Sequence, residues 1–154
     1  MSGDPEALAV ENAQRKAHAV SRQSPDAPVL GVDTVVCLGD EIYGKPADEV
    51  EARSTLSALS GHTHTVISGI CLMDSEGATA SAARTAVEFR SLNHGWLDWY
   101  LATREWRERA GGYAIQGRGA ALVRRIDGDY LNVVGLPLAC LLELAPWLLR
   151  TLGG

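Results

Sequence analysis

The sequence is short of cysteine, of long apolar runs and of positive charge, and each shortage removes a class of protein. Its three cysteines, Cys37, Cys71 and Cys140, stand far apart in apolar segments. They make neither a disulfide frame nor zinc spacing and read as small core residues of a reduced, cytoplasmic protein. Arg, Asp, Glu or Gly interrupts every apolar stretch before it reaches the length of a membrane span. The first residues, MSGDPEA, lack the basic start and apolar stretch of a signal peptide, which predicts a chain without a leader. A net charge of −5 argues against a nucleic-acid polymer as partner, because that needs a basic face. It leaves room for a small anionic ligand held by a few local cations. There is no internal repeat, no low-complexity segment and no glycine fingerprint of a dinucleotide fold.

What remains is a globular composition, with 46% hydrophobic and 21% charged residues over 154 positions, enough for one domain with a core. The organising stretch is VLGVDTVVCLGDEIYGKP, residues 29–46. It opens with a valine-rich run of strand length that suits a strand buried on both faces. Asp33 interrupts that run where an unpaired charge would be expensive to bury. Gly39 and Asp40 reverse the chain, and Gly44-Lys45-Pro46 brings a cation onto an extended segment. Two readings stand open: a site for a metal and a phosphate, or a charge-paired Asp at a strand end beside a solvated Lys.

Asp4 as N-cap and Pro5 predict a first helix whose buried face carries Ala9, Ala13, Ala17 and Val20. Lys16 borders that face and reads as a surface lysine able to reach inward. Asp48 and Glu51 predict a second helix, with Ala52, Leu56 and Leu59 inside and a stop at Ser60-Gly61. Residues 63–73 and 78–89 predict an antiparallel hairpin. His62 and His64 stand two apart at its entry but lack a third ligand nearby, which argues against a metal edge. Asn93 predicts the cap of a helix carrying Trp96, Leu97, Tyr100 and Leu101. The tryptophans between residues 96 and 106 read as packing or a subunit interface, and residues 104–109 as a solvated charged stretch.

Residues 110–123, AGGYAIQGRGAALV, combine four glycines with Gln116, a polar amide in a predicted β segment that wants a partner. Asp127-Gly128-Asp129 predicts a third hairpin turn. Pro137 predicts the start of a last helix with the stripe Leu138, Leu141, Leu142 and Ala145, ended or kinked by Pro146. The layout is mixed α/β: helices alternating with strand hairpins.

These blocks resemble the Maf family, septum-formation-inhibitor-like nucleoside triphosphate pyrophosphatases. The likeness is carried by GVDTVV (31–36), GKP (44–46), LSGHTHTV (59–66), AGGYAIQGRGA (110–120) and IDGDYLNVVGLPL (126–138), in that order along essentially the whole chain. It implies an α/β fold related to the inosine triphosphatases, a mixed sheet with flanking helices and two lobes around a cleft, usually as a homodimer. It also implies hydrolysis of a nucleoside triphosphate between the α and β phosphates with a divalent cation, Mg²⁺ or Mn²⁺. By motif position Asp33 matches the family's essential acidic residue and metal ligand. Lys16, Lys45 and Gln116 match its helix lysine, loop lysine and glutamine, as triphosphate-binding and catalytic groups. Asp33-Thr34 and Ile115-Gln116-Gly117 resemble the branch that prefers dTTP and UTP, with Thr34 in substrate contact. The branch acting on methylated GTP tends to carry Asp-Gln and Ser-Glu-Gly there.

Family members normally begin with a strand and a Ser-x-Ser-x-Arg-Arg loop that grips the triphosphate, and these 154 residues do not contain it. The expectation is a single Maf-like domain over residues 1–154, truncated at its N-terminus relative to the family. Such a chain is a piece of an ordinary enzyme, or a catalytically impaired short form. The short form would act as a nucleotide-binding module, or as a protein-interaction module through an unpaired apolar edge.

Overall fold

The fold comes from a computed structural model whose described residues are 3–152. Asp4 caps α1 (Pro5–Ser21) by accepting from the Glu6 amide at 3.0 Å, with Pro5 in the first turn. Ala9, Ala13 and Ala17 are fully buried on one face as expected, whereas Val20, expected on that face, is 52% exposed. The organising stretch forms β1 (Val29–Leu38), which turns through Gly39 and Asp40 into the short β2 (Glu41–Tyr43). Asp48 accepts from Glu51 N at 2.8 Å to open α2 (Glu49–Leu59), and Glu51 reaches back to Ala47 N at 3.0 Å. The expected hairpin is β3 (Thr63–Asp74) with β4 (Gly77–Phe89), followed by α3 (His94–Ala102) capped by Asn93.

These strands and β5 (Val123–Asp127) form one five-stranded sheet in the order β2-β1-β3-β4-β5, with every pair antiparallel. β2 pairs with β1 only from Val36 to Leu38. Among the described residues, the outer edge of β1 from Val29 to Val35 therefore has no strand partner.

The third hairpin does not form. Residues 110–122 hold two 3₁₀ turns, Ala110–Gly112 and Arg118–Leu122, in place of a strand, and Gly111 and Gly112 take φ of 73° and 76°, which an extended strand does not allow. Asp129 caps a helix instead of closing a hairpin, its carboxylate accepting from Leu131 N at 2.9 Å to start α4 (Tyr130–Val134). The capping role outweighs the turn chemistry of Asp127-Gly128-Asp129. Pro137 precedes α5 (Leu138–Leu144), which stops before Pro146, and α6 (Leu148–Leu152) follows. Within the predicted stripe Leu141 and Ala145 are buried, but Leu138 is 37% exposed.

The sheet carries different layers on its two faces. On one, α1 lies against β1 and β3 so closely that a Cβ on Gly31 would sit 2.1 Å from the Ala13 carbonyl oxygen. On the other, the main core gathers Val36, Val66, Val87 and Phe89 with Leu56, Leu59, Tyr100 and Leu122. Trp106 joins that core and donates its indole N–H to the Leu101 carbonyl at 3.2 Å, whereas Trp96 and Trp99 stay 38% and 45% exposed. The aromatic group therefore splits between packing and surface.

Candidate active site

Successive residues of a strand point to opposite faces, and β1 uses this to place two neighbours differently. Asp33 faces α1, where Lys16 Nζ donates to its Oδ1 at 2.6 Å and Asn12 Nδ2 to its Oδ2 at 3.0 Å. Thr34 faces the other layer, its Oγ1 2.8 Å from Ser68 Oγ on β3. The two sides meet in a cleft of about 360 Å³ that wraps around the open edge of β1. Lys16, Asp33, Thr34, Lys45 and Gln116 all line it, so the structure brings every predicted site residue to one cavity.

Both carboxylates of the cleft are charge-paired, as one of the two sequence readings has it for Asp33. Asp33 is matched with Lys16, and Lys45 lies 3.4 Å from Glu108. A hydrogen bond from Gly111 N to Gly44 O, 3.1 Å, ties the Lys45 loop to the glycine turn and sets Glu108 and Arg109 on the same wall. Residues 104–109 are thus more than a solvated stretch. The available signal was an arginine two residues before a glycine pair, since close backbone approach carries its neighbours with it.

Gln116 is exposed on the cleft with no hydrogen-bond partner among the described residues. Its loop is nonetheless held from behind. Glu105 accepts from Arg118 N at 3.0 Å and Gly119 N at 3.2 Å, and Tyr100 Oη accepts from Ala114 N at 2.9 Å. Burial pushes the Tyr100 phenol up, so it stays protonated and also donates to Glu105 at 3.4 Å.

His64 is absent from any ligand set. It is 1% exposed, its Nε2 is 2.7 Å from Tyr113 Oη, and Phe89 packs edge-on at 4.8 Å. Burial lowers its pKa to about 4, and burial raises that of Tyr113, whose ring lines the cleft. His62 is exposed, and no group of three or more His, Cys, Asp or Glu able to hold a metal occurs among the described residues. The cleft's oxygen donors, Asp33 and Glu108, suit a hard cation that shares one or two carboxylates with substrate phosphates rather than a full protein cage.

Three cations, Lys16, Lys45 and Arg109, face two carboxylates in this cleft, so it is locally positive in a chain of net charge −5. Both ion pairs are partly exposed and individually worth little, so an incoming polyanion can take over the lysines. A water between Asp33 and a bound phosphate would find a carboxylate to orient it and cations to receive developing charge.

The sequence pattern of the Maf-like protein family matches residues 1–146. The dTTP/UTP pyrophosphatase of Pyrococcus furiosus is 44% identical over 141 residues, 92% of this chain and 74% of the relative. That of Deinococcus radiodurans is 46% identical over 141 residues, 92% of this chain and 72% of the relative. That of Myxococcus xanthus is 46% identical over 142 residues, 88% of this chain and 72% of the relative.

Proposed function

This chain belongs to the Maf family, and from that premise we propose that it is a nucleoside triphosphate pyrophosphatase acting on dTTP and UTP. The observation that carries the reading is the convergence of Asp33, Lys16, Lys45 and Gln116 on one cleft. The activity named for relatives at 44% and 46% identity supports the substrate class.

In the proposed reaction a water oxygen attacks the α-phosphorus and the bond from that phosphorus to the α–β bridging oxygen breaks. The electron pair leaves with pyrophosphate, and the nucleoside monophosphate remains. Lys16 and Lys45 neutralise the phosphate oxygens as charge moves onto the leaving group. Gln116 holds a phosphate oxygen or the attacking water, and Thr34 sits beside the substrate at the strand edge. Asp33 either ligates the cation or takes the water's proton. A divalent cation, Mg²⁺ or Mn²⁺, supplies Lewis-acid polarisation and charge neutralisation when bound, with Asp33 as its protein ligand. We further assign the activity to a cytoplasmic homodimer of single-domain subunits. The three cysteines, free of disulfides, support a reducing compartment.

The test is pyrophosphate release from dTTP, UTP, 7-methyl-GTP and ATP with Mg²⁺, using Asp33→Asn as control. Turnover of the two pyrimidine triphosphates that the variant lacks is the expected result. Equal turnover by the variant, or none by the unaltered folded chain, would overturn the reading.

A further inference from the structure

One side of the cleft has no charge to offer a phosphate. There α4 and the turn after it contribute Val133, Val134, Gly135 and Leu136, opposite Val36 and Val66 of the sheet. An apolar slot continuous with a cationic one suits the flat ring at the other end of a nucleotide. The backbone of this wall is unevenly satisfied. The hydrogen bonds that end α4 land on the carbonyls of Leu131 and Asn132, from Gly135 N at 3.1 Å to each and from Leu136 N to Leu131 at 3.0 Å. The carbonyls of Val133 and Val134 receive none among the described residues, as the last carbonyls of a helix do unless capped.

The position of this wall rests on one buried side chain. Asn132 is fully buried, and the two N–H bonds of its Nδ2 are shared among Thr85 Oγ1 at 2.9 Å, Val66 O at 3.2 Å and Ala83 O at 3.3 Å. Its own carbonyl accepts from Ser68 Oγ at 3.4 Å, and that hydroxyl pairs with Thr34 at 2.8 Å. Thr85 extends the contact to the Asp129 amide at 3.1 Å, at the start of the helix. The amide therefore pins α4 to β3 and β4 from behind the wall, and Asn132 itself does not line the cleft.

We propose that the segment from Val133 to Leu136 is the nucleoside-recognising wall of the site, and that Asn132 is the positioning residue that holds it. The carbonyls of Val133 and Val134 accept the imide N3–H that thymine and uracil share and that cytosine lacks. An acceptor-only edge rejects a ring nitrogen that is itself an acceptor, because both would be left unpaired. The proposal rests on the pyrophosphatase reading for the identity of the ligand, and its test separates the two.

The experiment is titration calorimetry of the full chain with Mg²⁺ and four probes: the non-cleavable α,β-methylene analogues of dTTP, N3-methyl-dTTP and dCTP, named below by their parent nucleotides, and inorganic tripolyphosphate. Unaltered protein should bind dTTP about tenfold or more tighter than the other three, the loss expected for one unmade buried hydrogen bond. Asn132→Ala should bring dTTP down to the tripolyphosphate level and leave tripolyphosphate itself unchanged, which a general loss of structure would not do. Leu136→Ala, at a 39% exposed position, serves as the second variant and should weaken dTTP alone. N3-methyl-dTTP or dCTP binding as tightly as dTTP, or equal weakening of dTTP and tripolyphosphate in both variants, would overturn the wall. So would dTTP binding no tighter than tripolyphosphate. Pyrophosphate release is scored separately, since base-dependent binding without turnover would sink the enzymatic reading and leave the wall standing.

Discussion

Lys16 Nζ lies 2.6 Å from Asp33 Oδ1 and also donates to the Val32 carbonyl at 3.1 Å, so one cation serves both the carboxylate and the strand that carries it. The lysine is 54% exposed and the carboxylate 17%, which leaves the pair open to a ligand from the cleft. Asp33→Asn should cut pyrophosphate release by at least about 10²-fold while shifting the melting temperature little, because an ion pair with one exposed partner contributes little stability. Lys16→Met should lower kcat/KM as well, and restoring net charge with an arginine elsewhere on α1 should not recover it. Steady-state kinetics beside thermal denaturation checks both.

Removal of divalent cations should abolish turnover without altering the melting temperature of the unliganded chain. The cleft supplies two carboxylates, Asp33 and Glu108, a donor set that suits an ion shared with phosphates more than a structural cage. Chelation followed by denaturation scans checks this, and a large drop in melting temperature would reveal a structural metal.

The close seat of α1 on the sheet predicts a steric effect. A Cβ on Gly69 would meet the Ala9 carbonyl carbon at 2.4 Å, backbone that has no rotamer with which to yield. Gly69→Ala should therefore destabilise the chain by about 1–3 kcal/mol, the usual range for overpacking. It should also reduce activity by tilting Lys16 and Asn12 away from Asp33. Urea denaturation measures the first effect and kinetics the second.

How much of this was legible in the sequence depended on how local the cause was. Helix starts at Asp4, Asp48 and Asn93 could be read because each cap acts on an amide two or three residues away. The β3–β4 hairpin followed from a β-branched and apolar run, Thr63 to Met73, with a turn after it. Residues 110–122 could not be read that way, because their shape depends on Gly111 reaching Gly44 and on Glu105 reaching Gly119. The same holds for the site. Asp33, Lys16, Lys45, Thr34 and Gln116 were singled out by motif and line one cleft, but the places of Arg109 and Asn132 beside it emerge only when distant loops and strands are brought together.

Glu105 should matter to catalysis without touching the cleft. Its carboxylate receives the amides of Arg118 and Gly119 and so fixes the loop that presents Gln116. Glu105→Gln should cost about 1–3 kcal/mol, since a charged acceptor is replaced and one donor is left facing the wrong group. If the effect on kcat runs through Gln116, the Glu105→Gln and Gln116→Ala losses should combine less than additively in the double variant. Full additivity would place the role of Glu105 elsewhere.

The buried His64 predicts how stability depends on pH. Its pKa falls from 6.5 to about 4 because burial opposes the charged ring. The folded chain thus keeps His64 neutral in a window where the unfolded chain protonates it, so the unfolded state binds more protons there. Stability should be unaffected by this group above pH 6.5 and should fall as pH drops toward about 4, where the loss is complete. The gap corresponds to on the order of 3 kcal/mol at the acid end. Other groups titrate in the same range, so the informative quantity is a difference between variants. His64→Gln keeps a hydrogen-bond partner for Tyr113 and removes the titration, and should lower the proton uptake on unfolding by up to one in that window. Urea denaturation of both chains at intervals between pH 4 and 7.5 measures it. Parallel curves would mean that His64 is already charged in the folded protein, and the buried pair with Tyr113 would then need a counter-charge that the fold does not supply.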